Sequence, residues 1–258
     1  MRLRAVAVAS TFLLALPAQS LARPDCAGPV EVPVAHLLRV ERDGTVVLTD
    51  GRAVHLEGIR LPAGARENAP QSFANKALAA IRTLLQSSAM TFTAVPPKED
   101  RYYRTRVQAF VGNRWLQAEL VGRGLARVSI APDRTECAAE LFAIESRARA
   151  ARAGLWASSA YAIRNPWNLA LDTGTFQVVE GKVLNASVRN GRVYLNFGAD
   201  WRSDFTVTVD PVDRPNFRQA GVDPTSYVGQ TIRVRGWVQS LNGPEIEVPN
   251  PQGIEVIP

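Results

Sequence analysis

The stretch VAHLLRVERDGTVVLTDGRAVHLEGI, residues 34–59, decides the fold class. Its short alternating runs are cut at Asp43-Gly44 and Asp50-Gly51. Asp-Gly between such runs is a strong hairpin signal, because these residues tolerate the positive φ of a tight turn. The pattern predicts a meander of strands over 37–40, 45–48 and 53–59. Working outward, residues 72–85 place Phe73, Ala77, Leu78, Ile81, Leu84 and Leu85 at three- and four-residue spacing, which predicts an amphipathic helix. Strands are expected at 90–94 and 106–111, and a short helix at 116–121 closed by Gly122 and Gly124. Asp133, with Glu136 three residues on, has the form of a capping box opening a long helix through Ala151 to Gly154. Strands with helices inserted between and after them imply a small barrel flanked by helices, not a parallel sheet.

Residues 157–175, punctuated by Asn165-Pro166 and Gly174, read as a linker. Beyond them a second all-β pattern is expected. Runs at 176–188 and 192–197 flank Asn190-Gly191, a third strand covers 205–209, and one or two helical turns cover 215–220. Strands at 231–238 and 245–248 are predicted to pair across Asn242-Gly243-Pro244. The order β-β-β-α-β-β is that of the oligonucleotide/oligosaccharide-binding (OB) barrel. The fold class is therefore mainly β with α, two OB-like barrels in series over 34–156 and 176–258.

Residues 1–22 have the form of a cleavable signal peptide. Arg2 and Arg4 precede an apolar core too short to span a bilayer, and Ser20-Leu21-Ala22 predicts cleavage after Ala22. A periplasmic or secreted protein without membrane insertion is the expectation. In an oxidising compartment Cys26 and Cys137, the only cysteines, favour one disulfide, with two free thiols as the alternative. The formal charge of +6 falls by two, to +4, when Arg2 and Arg4 leave with no acid. That is compatible with an anionic partner without identifying one. Lysine occurs at 76, 98 and 182 only, so the positive charge is nearly all arginine, which suits bidentate phosphate contacts.

Between the strands at 90–94 and 106–111, Asp100-Arg101-Tyr102-Tyr103-Arg104-Thr105-Arg106 sets three arginines and two tyrosines in seven residues. It reads either as a solvated charged hairpin or as a phosphate and base contact. The run Val54-His55-Leu56-Glu57-Gly58-Ile59-Arg60-Leu61-Pro62, then Asp100-Arg101-Tyr102-Tyr103-Arg104, then Glu119-Leu120-Val121-Gly122-Arg123-Gly124-Leu125-Ala126-Arg127-Val128, and finally Ala153-Gly154-Leu155-Trp156, resembles the staphylococcal-nuclease-like (thermonuclease) family. Tyr194-Leu195-Asn196-Phe197-Gly198 and Asp204-Phe205-Thr206-Val207 are similar to an accessory barrel that follows such domains in some bacterial proteins.

The resemblance implies hydrolysis of DNA and RNA phosphodiesters with one calcium ion. It also implies oxygen ligands for the ion, a glutamate acting on water, and two arginines on the phosphate. Arg104 falls at one of those arginines. Elsewhere the chain departs from the pattern. Arg42-Asp43-Gly44-Thr45 stands where the family has Asp-Gly-Asp-Thr, His55 replaces the other arginine, Arg60 the second ligand aspartate and Ala63 the general base. Calcium is expected for the family, but its ligand positions are missing, so no cofactor or metal is expected here. His36 and His55, the only histidines, lack zinc-ligand spacing. The catalytic candidates reduce to Arg104, with His55 beside it.

The expected phosphate or nucleic-acid contacts are Arg60, Arg101, Tyr102 and Arg104, with His55 lining the same cationic pocket. Glu41, Glu57 and Asp43 are possible replacement carboxylates. Phe197, Trp201 and Trp237 either stack bases or pack the second barrel, and Arg189, Arg192, Arg202, Arg233 and Arg235 add charge there. The leading expectation is an exported nuclease homologue that binds nucleic acid or another polyanion without efficient cleavage. An active nuclease with a rearranged site and an envelope module for protein or glycan are the alternatives.

Overall fold

The structure is a computed structural model and describes residues 24–258 except Ser87 and Trp201. The expected signal peptide and the stacking candidate Trp201 lie outside the described residues. The first unit contains β1 (Val30–Ala35), β2 (Leu37–Val40), β3 (Val46–Leu48), β4 (Ala53–Leu56), β5 (Ile59–Arg60), α1 (Gln71–Gln86), β6 (Met90–Thr93), β7 (Thr105–Val111), β8 (Arg114–Trp115), α2 (Leu116–Gly122), β9 (Arg127–Val128) and α3 (Ala138–Ala150). Strand order is β1-β6-β7-β4-β3-β2, with β8 on β7. Because β1 runs into β2 through His36 alone, one bent strand supplies both ends of that order and the sheet closes on itself. Val46, Val54, Phe92, Val107 and Ala109 fill its interior beneath Ile81 and Leu85 of α1 and Leu141 of α3.

In this first unit four features depart from the expectations drawn from sequence. The strand over 53–59 is two strands, because Gly58 at φ 83° turns the chain out of register. β4 pairs in parallel with β7 while β5 pairs with β9. No capping box forms at Asp133. Its carboxylate takes the buried Arg106 guanidinium at 2.7 Å, Glu136 is held by Arg134, and α3 begins only after Cys137. β1 was not anticipated, since Pro33 interrupts its alternation. Cys26 and Cys137 are joined as a disulfide across 111 residues of sequence.

The second unit contains β10 (Phe176–Lys182), β11 (Asn185–Arg189), β12 (Arg192–Asn196), β13 (Thr206–Val209), α4 (Arg214–Gln219), β14 (Thr231–Trp237), β15 (Gln239–Ser240), β16 (Pro244–Glu247) and β17 (Ile254–Ile257). The run over 176–188 breaks at Val183-Leu184, where one backbone N–H bonds to the Gln230 carbonyl just before β14 and the next to the Asn196 carbonyl of β12. β10, β14 and β17 form one sheet, and β11, β12, β13, β16 and β15 the other. Two strands turn the corner between them, β10 into β11 and β14 into β15, which wraps both sheets around one core. The expected pairing of 231–238 with 245–248 is accordingly replaced. β14 pairs with β10 and β17, and only its continuation β15 pairs with β16.

Residues 157–175 are packed between the units. Tyr161 is buried with Trp156, Ala148 and Val178, and Phe73 meets the Tyr161 ring edge-on at 5.4 Å. Arg164 gathers the carbonyls of Ser159, Ala160 and Ala162 and pairs with Asp172. Beside this seam Arg235 donates to Glu145 of α3 at 2.8 Å and to the Val128 carbonyl at 3.1 Å. Arg127 donates to the Phe176 carbonyl at 2.8 Å.

Candidate functional site

A cleft of about 1300 Å³ opens over one side of the first barrel. The β2–β3 turn forms one bank, β4 and β5 the floor, and the loop from Leu61 to Arg66 with the start of α1 the other bank. Each wall follows from local sequence. Asp43 builds the turn by accepting the Thr45 N–H at 3.0 Å and its hydroxyl at 2.9 Å. Leu56 and Val54 point into the barrel, so His55 between them faces the cleft.

The arginine-rich stretch folds into a compact turn around one carboxylate. Asp100 Oδ1 accepts the N–H groups of Tyr102 at 2.8 Å and Arg104 at 3.0 Å, and Oδ2 accepts Arg104 Nε at 2.7 Å. Arg104 Nη1 then bridges to Asp43 Oδ2 at 3.0 Å and Thr45 Oγ1 at 2.8 Å. Burial alone would raise the Asp43 carboxyl, but the Thr45 hydrogen bonds and the Arg104 charge together hold it below its ordinary value. Asp100 behaves alike, burial being outweighed by bonds from Arg104 and Tyr102. Tyr103 sits at the tip with φ 60°, an unusual angle for a bulky residue, and is 86% exposed. Arg101 and Arg104 both lie against the Tyr102 ring, at 4.9 and 5.3 Å from its centre.

Of the residues singled out in sequence, His55 and Arg60 line the cleft, Arg104 reaches it through Asp43 and Thr45, and Arg101 lies against Tyr102 outside the lining. The single cationic pocket expected from all four is thus divided. Arg60 is turned to the seam, where it pairs with Glu67 at 3.1 Å and lies 4.3 Å over the Trp237 ring. Burial is the largest cause that pulls the His55 imidazole below its ordinary pKa. Arg104 and Arg106 push the same way, against Glu57 and Asp100. His55 is therefore neutral at pH 7.

The possible replacement carboxylates are engaged. Glu57 is buried against Arg106 Nε at 2.7 Å, Asp43 holds Arg104, and Glu41 holds Arg39 at 2.7 Å. Glu67, one turn beyond Ala63, accepts the Ala63 N–H at 3.1 Å and pairs with Arg60 and Arg127. Among the described residues, no group of three or more histidine, cysteine or acidic side chains is placed to hold a metal ion.

Arg42 and Arg66, one on each bank, are the exposed cations of the lining that have no ion-pair partner among the described residues. Sequence reading placed Arg42 only as a lost ligand position and passed over Arg66. The available signal was Gly64-Ala65-Arg66-Glu67 between Pro62 and Pro70, which folds as a 3₁₀ turn instead of open loop. In the second unit Phe197 is core, packed on Phe205 at 4.9 Å, and Trp237 stays 47% exposed. Of the five arginines noted there, Arg192, Arg233 and Arg235 are tied into carboxylate pairs.

Residues 53–158 match the staphylococcal nuclease homologue family, so the chain carries a staphylococcal-nuclease-like domain, an OB-type barrel. The match starts at β4 and ends before β10, leaving the second β unit outside it. No curated protein matches the chain. No helix among the described residues is long and apolar enough to cross a membrane.

Proposed function

With a staphylococcal-nuclease-like domain at residues 53–158 as the premise, we propose that the protein binds nucleic acid or a related polyanion in the cleft over β4 and β5 without cleaving it by calcium chemistry. The observation that carries the reading is the pair Arg42 and Arg66 on opposite banks, both exposed, neither neutralised by a described carboxylate. Two free guanidiniums facing one groove suit a chain of phosphates, and such contacts give salt-sensitive, sequence-independent binding.

The donor set does not fit calcium. The ion takes six to eight oxygens and depends on carboxylates to offset its dehydration. Here Asp43 and Glu57 already face Arg104 and Arg106, and Arg60 and Ala63 stand where the resemblance puts a ligand and the general base. Arg104 itself is clamped between Asp43 and Asp100, so its charge is largely met before a phosphate arrives. The disulfide supports an oxidising compartment, in keeping with export.

The test is fluorescence anisotropy with single-stranded and duplex oligonucleotides across a salt series, beside a digestion assay with calcium, magnesium, manganese or chelator. Binding is expected at roughly micromolar to sub-millimolar affinity. Reversing both Arg42 and Arg66 to Glu should weaken it and flatten the single-strand salt slope by about 1.4, at ~0.7 per lost phosphate contact. Affinity no better than millimolar at low salt, or an unchanged slope, refutes the reading. Metal-dependent cleavage lost in His55→Ala would replace it with the rearranged nuclease.

A further inference from the structure

A second cleft of about 500 Å³ lies between the two β units and shares Ser129 and Ala131 with the first. We propose that it is a nucleobase subsite, with Trp237 as its stacking platform, for a single-stranded nucleic acid whose phosphates lie across Arg42 and Arg66. This inference rests on the function proposed above and names the strand state of its ligand.

The junction between the clefts is one stacked pair. Arg60 lines the first cleft, Trp237 lines the second, and the Arg60 guanidinium lies 4.3 Å from the centre of the indole ring. Phe176 meets the same indole edge-on, with centroids 6.3 Å apart. The ring is held from two sides before any ligand arrives, so stacking on it costs little further side-chain entropy. Yet nearly half of its surface stays exposed, at the end of β14 where the strand turns into β15. A large aromatic ring fixed in place and left partly bare is a platform for another flat ring.

The surrounding polar groups suit a base edge. Ser129 and Gln239 line the cleft beside Trp237, and neither side chain makes a hydrogen bond with a described residue. The Trp237 indole N–H is equally unengaged. A hydroxyl, an amide and an indole N–H together offer donors and acceptors to a planar heterocycle, where an aliphatic ligand would leave them unmet.

Charge sorts which part of the ligand goes where. The first cleft has the unpaired cations Arg42 and Arg66. The second is lined instead by Asp213, which has no ion-pair partner among the described residues, and by Glu247, which meets Arg192 at 3.4 Å, while its one arginine, Arg235, is committed to Glu145 and Glu255. Phosphate is repelled from the second cleft and drawn to the first; an uncharged base is not. In a duplex the bases are paired inside the helix and cannot turn onto Trp237. A single strand can place backbone on one side of the Arg60–Trp237 pair and a base on the other.

The experiment uses the oxidised full chain and three probes: a labelled oligothymidylate, a duplex of the same length, and inorganic polyphosphate as competitor. Trp237→Ala should weaken oligothymidylate about five- to a hundredfold, the range that base–aromatic stacking supports. It should leave duplex and polyphosphate binding unchanged, while Trp237→Phe keeps most of the affinity. Gln239→Ala removes no packing and should weaken oligothymidylate severalfold. Irradiation of a 5-iodouracil oligomer bound to the unaltered protein should place the adduct on the peptide containing Trp237, a readout independent of how well any variant folds.

Equal loss for all three probes in Trp237→Ala, or an adduct confined to peptides of the first barrel, overturns the subsite and leaves the proposed function standing. Tight heparin binding that depends on Trp237, with no preference for single strands, also overturns it in favour of a glycan. If none of the probes binds the unaltered protein, both readings fall.

Discussion

Truncating Glu145 to alanine should unlock the two β units from each other. Its side chain is fully buried in α3. One carboxylate oxygen accepts the Val128 N–H at 2.8 Å, and the other accepts Arg149 at 2.7 Å and Arg235 at 2.8 Å. Glu145→Ala therefore orphans a backbone donor in β9 and removes one of the two carboxylates that compensate the buried Arg235. Glu255 remains on the other side of that guanidinium. Removing one partner of a buried ion pair costs about 3–5 kcal/mol. The surviving Glu255 argues for the lower half, about 3–4 kcal/mol. At ~2–4 °C per kcal/mol for a chain of this size, the melting temperature should fall by roughly 6–16 °C.

Differential scanning calorimetry on the oxidised protein measures this, with Glu31→Ala as control. Its exposed pair with Lys98 contributes at most about 1 kcal/mol. The unaltered chain should melt in one transition and Glu145→Ala in two, the second unit separating first. A drop below about 2 °C with a single transition preserved would refute the reasoning, since the seam would then be held by its apolar contacts.

Opening the Cys26–Cys137 bridge, by reduction or as Cys137→Ser, should lower stability by about 2–5 kcal/mol, because it closes a loop of 111 residues; guanidinium titration reads the change. Burial first, and the Glu67 charge second, push the Tyr161 phenol up to about 12, so an alkaline ultraviolet titration should show a late step that Tyr161→Phe removes. The unfolded phenol ionises near 10. The Tyr161 contribution to stability is therefore intact below pH 10 and is lost as pH rises through about 12. His55 is held below its ordinary value of 6.5, chiefly by burial. Its stabilising effect is present above about pH 6.5 and disappears as pH falls through the lower folded value. An NMR titration should find the His55 imidazole titrating low, its resonance assigned through His55→Gln.

Sequence periodicity was enough for what local physics controls. The Asp-Gly turns, the apolar stripe of α1 and the glycine-closed α2 appear where their patterns place them, and the cysteines pair. The misses have two kinds of cause: a backbone feature such as Gly58 or Pro33 that breaks a run, and a partner side chain that outcompetes a local signal. Asp133 and Glu136 had the spacing of a capping box, but Arg106 and Arg134 claimed their carboxylates. Residues 157–175 have the punctuation of a linker, and within it Tyr161 packs on Phe73 and Arg164 gathers the carbonyls around it, contacts that no local pattern announces.

The same holds at the site. Arg104 stood out by its motif, and no local pattern said that Asp43, sixty-one residues away, would share its charge. No local pattern marks Arg66, because what singles it out is that Arg42 lines the same groove from a different segment. Trp237 read as barrel packing more readily than as a platform, and the bend into β15 leaves it half exposed at the seam.

The seam also bears on how such a protein can be inherited. The family match ends at residue 158, which invites the view that the nuclease-like part is a portable cassette with a tail added later. Its interior says otherwise. The buried Arg127 is completed by the carbonyl of Phe176, and the buried Glu145 by the guanidinium of Arg235. A cut between the two units would bare Glu145 on one fragment, still paired with Arg149, and Arg235 on the other, still paired with Glu255, and would expose both to water. Recombination that swaps either half must therefore carry a matching half with it. The two barrels share one buried seam, so a change on either face calls for a matching change on the other.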